Sequence, residues 1–165
     1  MNTYVLFCQT LKVEKIAKIL NRKNGIKALI PKMEAYIRKT DEIVLKAMFP
    51  GYLFVQSNLK QEEFSILLKS LYEEKDGIIK ELKKENVSAL THDEIELLNE
   101  LLNKNGILEM SYGYKMSGRT VVVKGPLEKF QDNIINSDKR DMYVTLNMNF
   151  LGRNIKAGLM FMQNN

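Results

Sequence analysis

Phe49-Pro50-Gly51-Tyr52-Leu53-Phe54-Val55-Gln56 constrains this chain more than any other stretch. Pro50 and Gly51 punctuate the backbone just before an aromatic, β-favouring run. Tyr52 to Gln56 is therefore expected as a strand entered through a tight turn. Alternation puts Tyr52 and Phe54 on one face and Leu53 and Val55 on the other. Two apolar faces mean either a sheet covered on both sides or a hydrophobic patch left open for a partner. Val121-Val122-Val123-Lys124-Gly125-Pro126 is a second β-branched run stopped by a turn. The first run lies among helices and strands, the second among short strands alone.

Before the first turn, Tyr4 to Gln9 has the length and composition of a strand. Thr10, with Glu14 close behind, can cap a helix running to about Lys23 and closed by Asn24-Gly25. Val13, Ile16, Ala17 and Leu20 share one side of that helix. Lys12, Lys15, Lys18 and Arg22 share the other, within an arc of about 120°. Ile26 to Ile30 reads as a strand ended by Pro31, Met33 to Ile37 as another, and Lys39 to Lys46 as a hairpin or loop. Phe64, Leu67, Leu68 and Leu71 mark a second helix over Gln61 to Leu71. Asp76-Gly77 is a turn, with a short extended piece after it at Ile78. Thr91 with Glu94 forms a capping box opening a third helix, closed by Asn105-Gly106.

This order predicts an α+β domain over residues 1–106, an antiparallel-rich sheet with flanking helices. Beyond it, Thr120 to Lys124, Asn133 to Asn136, Met142 to Asn149 and Asn154 to Phe161 are strand candidates at the spacing of a small barrel or sandwich. They define a second domain over 117–165, with 107–116 as a short linker.

Charge is distributed unevenly. Residues 10–39 carry a balance of +7, residues 40–106 of −5 and residues 107–165 of +3. A basic N-terminal third points to a polyanion partner, whereas a uniform excess would speak only to solubility. The Lys12, Lys15, Lys18 and Arg22 stripe could track nucleic-acid phosphates, or be a solvated amphipathic face.

Catalytic chemistry is sparse. The lone histidine, His92, falls at a helix start, and the lone cysteine, Cys8, in a strand-like run where a buried inert thiol is expected. One His and one Cys cannot make a structural zinc site, and no glycine-rich phosphate loop is present. Glu62-Glu63 and Glu73-Glu74 read as solvated helix faces. No enzyme activity, cofactor or metal is expected. No apolar run reaches the ~18–20 residues of a membrane span. The N-terminus lacks the marks of a signal peptide, so a cytoplasmic protein without membrane contact is expected.

Several phrases in order resemble the NusG family of transcription elongation factors. They are Tyr4-Val5-Leu6 with Glu14, Phe49-Pro50-Gly51-Tyr52 with Leu53-Phe54-Val55, and Leu90-Thr91 with Glu94. Gly118, Val121, Val123, Gly125, Pro126 and Phe130 come next, and then Gly152-Arg153. The resemblance implies an NGN domain followed by a small KOW β-barrel. Thr3 stands where the family often has Trp, Leu11 where Gly is common, and Arg119 where an acidic residue is usual. Gln131-Asp132-Asn133 occupies the place of an expected glycine, so Asp or Asn would have to meet any positive φ there. These departures point to a specialised paralogue and away from the housekeeping role, and the short linker with the Lys-rich segment 10–39 is similar to the operon-restricted antiterminators of the LoaP and UpxY kind.

The resemblance implies a monomer that binds RNA polymerase at its clamp helices and suppresses pausing and termination, helped by a structured RNA leader. Tyr4, Phe7, Phe49, Pro50, Gly51 and Tyr52 would form the polymerase surface. Lys12, Lys15, Lys18 and Arg22 would bind the RNA hairpin. Phe130 and Arg153 would serve a KOW partner, a ribosomal protein or a termination factor, although Phe130 could equally cap the barrel core. The alternative is an RNA-binding KOW module acting on ribosome or messenger RNA without polymerase.

Overall fold

The computed structural model describes residues 1–71, 77–84, 87–88 and 90–163; Glu73, Glu74 and Asp76, singled out above, lie outside them. Contacts gather the chain into two compact units. The first comprises Met1–Pro31 and Phe49–Ile95, the second Lys32–Met48 and Glu96–Asn165. Neither is one continuous segment.

The first unit is built on a sheet of order β2-β5-β1-β6-β7. Its strands are β1 (Asn2–Cys8), β2 (Ile26–Leu29), β5 (Tyr52–Ser57), β6 (Ile78–Lys84) and β7 (Val87–Ser88). The β1–β5, β1–β6, β2–β5 and β6–β7 pairs are all antiparallel, as expected for an α+β domain. Tyr4, Leu6, Cys8, Leu53 and Val55 bury one face of this sheet. Helices α1 (Val13–Asn21) and α2 (Gln61–Ser70) supply the cover: Val13, Ile16, Ala17 and Leu20 from the first, Phe64 from the second. Tyr4 stacks on Phe64 with ring centroids 4.1 Å apart and planes 4° from parallel.

Helix α1 starts two residues later than the Thr10 cap predicts. Residues 10–12 form a turn, Lys12 takes the N-cap position without a side-chain cap bond, and Arg22 is the C-cap. At its last residue the Asn21 amide bonds both the N–H of Ala28, at 2.7 Å, and its carbonyl, at 3.1 Å, tying helix to β2. At α2, the Lys60 N–H donates to the Glu63 carboxylate at 3.0 Å.

Helix α3 (His92–Leu101) opens with the expected capping box. The Thr91 N–H donates to Glu94 Oε1 at 3.0 Å, and the Glu94 N–H donates to Thr91 Oγ1 at 3.2 Å. Each residue thereby satisfies a donor that a helix start leaves orphaned.

In the second unit, β3 (Lys32–Ile37) and β4 (Glu42–Ala47) form a regular hairpin, and β8 (Ile107–Leu108) runs parallel to β3. The remaining strands make a five-stranded sheet of order β10-β9-β13-β12-β11. It contains β9 (Ser111–Met116), β10 (Arg119–Lys124), β11 (Ile134–Asp138), β12 (Tyr143–Phe150) and β13 (Arg153–Phe161). The four strand candidates of this region thus correspond to β10 to β13. Residues 107–116, expected as a linker, hold β8 and β9. The Met110 N–H donates to Glu34 Oε1 at 2.8 Å, pinning the chain between them to β3. Two hairpins turn through paired left-handed residues, Ser117-Gly118 and Leu151-Gly152, the backbone of a two-residue primed turn.

A 3₁₀ segment, Pro126–Asn133, connects β10 to β11 and kinks at Phe130. Gln131, Asp132 and Asn133 carry no positive φ; Gly125, at φ 111°, takes the left-handed role. Leu127 and Phe130 are both buried in the core. Phe130 is only 7% exposed, so it is a core side chain and the expectation that it docks a partner is corrected. Phe130→Ala should cost about 3–5 kcal/mol in urea unfolding, the usual cost of emptying a buried aromatic site. A loss below about 1 kcal/mol would contradict this placement.

Candidate partner-binding surface

Phe49, Pro50, Gly51 and Tyr52 form a single β-turn, with the Tyr52 N–H donating to the Phe49 carbonyl at 3.0 Å. Pro50 holds the first corner and Gly51, at φ 85°, the second, which is the residue pattern of a type II turn. The turn is locked onto β1, because the Cys8 N–H donates to the Gly51 carbonyl at 2.7 Å. A methyl group added at Gly51 would sit 2.8 Å from the Cys8 carbonyl oxygen and 3.1 Å from the Phe7 ring. Both the dihedral and the close approach therefore demand glycine.

The turn sets the register of the strand it opens. β5 leaves paired with β1, Phe7 opposite Tyr52, Leu6 opposite Leu53 and Val5 opposite Phe54. Phe7 and Tyr52 meet at 5.1 Å with a 45° tilt, and both are half-buried. Pro50 beside them is exposed. Further along this face Val5 and Phe54 are buried, and Phe49 meets Phe54 edge-on at 6.1 Å. The accessible apolar groups are thus Phe7, Pro50 and Tyr52.

Three of the six residues expected at this surface do not reach it. Gly51 is buried under the turn and contributes backbone geometry. Phe49 is 3% exposed and belongs to the interior. Tyr4 is 2% exposed and faces the helices, the opposite side from Phe7. Its hydroxyl donates to the Leu59 carbonyl, and burial pushes the phenol above its ordinary pKa.

The basic stripe is also shortened. Lys15 and Lys18 are exposed on α1 and Arg22 is exposed at its C-cap. Lys12 precedes the helix and is half-buried, its stem so close to Gly77 that a methyl there would meet Lys12 Cβ at 2.7 Å. It is withdrawn from the helical face. Arg153 is exposed at the start of β13, without Phe130 as an exposed neighbour. His92 is exposed at the start of α3, and Cys8 is a buried free thiol whose pKa burial pushes up to about 11. That thiol is almost wholly protonated near neutral pH and a poor nucleophile.

Two surface features lie outside what the motifs indicate. A groove of about 440 Å³ is lined by Lys115, Arg119, Gln131, Asp132, Asn136 and others, between the edge strands β10 and β11. Along β4, Ile43, Val44 and Leu45 are all exposed. Their sign is present in the run Glu42-Ile43-Val44-Leu45-Lys46, where three consecutive apolar residues break the alternation a half-covered strand should show.

The family model described as transcription termination factor NusG matches residues 1–99, which include the turn, both aromatics and the α1 stripe. The chain belongs to the NusG family. A search of curated proteins finds no matching sequence. NusG-family proteins are non-enzymatic transcription elongation and termination factors that bind RNA polymerase. Among the described residues no group of three His, Cys, Asp or Glu is placed to hold a metal ion, and no helix is long and apolar enough to cross a membrane.

In this NusG-family chain the Gly51 turn can be tested against Gly118, which has a similar φ of 78° but nothing within 4 Å of an added methyl. Gly118→Ala should lose only the left-handed strain, about 1–2 kcal/mol. Gly51→Ala should lose more, read as a larger fall in urea midpoint. Equal losses would show that the contact with β1 is unimportant.

Proposed function

We propose that this protein is a processive elongation factor that docks on RNA polymerase through Phe7, Pro50 and Tyr52. Apolar side chains left partly open beside a rigid turn suit a protein partner. Two rings already in contact have little conformational freedom to give up on binding and bury a large area. The observation that carries the reading is this half-buried Phe7–Tyr52 pair next to exposed Pro50, within the stretch matched to the family. Held on the clamp helices, the domain disfavours the opening of polymerase that accompanies pausing and termination. The outcome is antitermination, acting in the cytoplasm on a particular long operon in the manner of LoaP and UpxY paralogues.

Lys15, Lys18 and Arg22 would supply the contact to a structured RNA leader. They are exposed cations on one helical face, and phosphate binding asks for clustered charge rather than precise geometry. The C-terminal sheet would be the KOW domain, with Arg153 at its partner surface, facing a ribosomal protein or termination factor.

The test combines two variants. Phe7→Ala with Tyr52→Ala should abolish co-purification with core polymerase from nuclease-treated lysate while the chain stays folded by circular dichroism. Lys15→Ala with Lys18→Ala should keep polymerase binding but weaken binding to the leader RNA. Its log K against log salt should flatten by roughly 0.7–0.9 for each phosphate no longer neutralised. Polymerase capture unchanged in the aromatic variant would refute the docking surface. RNA binding by a chain that never captures polymerase would favour a ribosomal or messenger RNA module instead.

A further inference from the structure

Among the described residues β4 is an edge strand with no protection along its centre. It lies outermost in the order β4-β3-β8 and pairs with β3 through six successive residues without a bulge. It contains no proline, and its only charges are Glu42 and Lys46, one near each end. Ile43, Val44 and Leu45 between them are 43%, 36% and 56% exposed. Natural edges are ordinarily blunted by bulges, prolines or central charges, because an unpaired row of N–H and C=O groups invites another strand. The hairpin is held in shape at its tip, where the Tyr36 hydroxyl donates to Asp41 Oδ1 at 2.7 Å and Asp41 takes a left-handed φ of 54°. The edge is therefore presented in an ordered form.

We propose that, in departure from the monomer the resemblance implies, two copies of the chain associate by antiparallel pairing of β4 with β4, centred on Val44. The strand is complementary to itself in that register. Glu42 of each copy faces Lys46 of the other, so two opposite-charge pairs flank the contact, and Val44 meets its own counterpart between them. On the other face Ile43 of each copy lies opposite Leu45 of the other, giving two apolar cross-strand pairs. Directly opposed charge pairs and apolar pairs are the units that stabilise a sheet and select its register. The arrangement is isologous and closes after two copies, so it yields a dimer and not a filament. One strand per copy is a small interface, and the association is correspondingly weak and concentration-dependent. This inference is independent of the polymerase reading, which uses the other compact unit.

Sedimentation equilibrium of the full chain tests it. The weight-average mass should climb from 19.1 kDa toward twice that value as concentration rises about a hundredfold. Glu42→Lys places lysine against lysine at both ends, and Lys46→Glu places glutamate against glutamate. Each should weaken association by about tenfold or more. Mixing the two variants in equal amounts should restore it, because one copy then carries two lysines and the other two glutamates. The chain with both substitutions should also recover. A wild-type mass fixed at the monomer value would overturn the proposal, as would a hairpin that pairs only with another protein. Single variants that associate normally, or a mixture that fails to recover, would overturn it equally.

Discussion

The antiparallel pairing of β1 with β5, anchored where the Cys8 N–H meets the Gly51 carbonyl, is the contact on which the first unit depends. It fixes a register in which every side chain of both strands is committed to one face. A slip of β5 by one residue against β1 would carry Leu53 and Val55 out of the helix-covered core and bring Phe54 into it. The turn prevents such a slip, because only glycine at 51 lets the backbone approach β1 so closely. The same bond that sets the core sets the surface: with Leu53 and Val55 inside, Tyr52 and Phe7 must lie together on the opposite face.

Much of this is legible in the sequence because local chemistry and tertiary structure agree. Pro50-Gly51 specifies its turn from within four residues, and Thr91 with Glu94 specifies a helix start from within the same span. The apolar seam of α1 is buried as its spacing requires. Tyr4 obeys a rule that the sequence already contains and that outranks its motif. Residues 4 and 7 of one strand differ in parity, so a strand that exposes Phe7 turns Tyr4 to the other side. Lys12 leaves the helical stripe because a start signal at Thr10 does not oblige the first turn to be helical, and boundaries are the least determined part of any periodic pattern.

Other features depend on long-range contact. That residues 32–48 join the C-terminal half rests on partners such as Ile107 and Leu108, more than 60 residues on, which no local window contains. Phe130 is ambiguous in sequence for the same reason. A phenylalanine in a polar loop after Gly-Pro fits exposure or burial equally, until the kinked 3₁₀ segment turns it inward. The groove between β10 and β11 depends on sheet order, which strand candidates alone do not supply.

The open end of the β1–β5 pair is where this NusG-family domain is expected to meet RNA polymerase. A photo-cross-linking side chain at Tyr52, compared with one at Ile66, which is 66% exposed on α2, tests this most directly. With purified core polymerase, the probe at position 52 should capture the subunit carrying the clamp helices and the probe at position 66 should capture nothing. Capture from position 66 alone, or equal capture from both, would contradict a docking surface at Phe7, Pro50 and Tyr52.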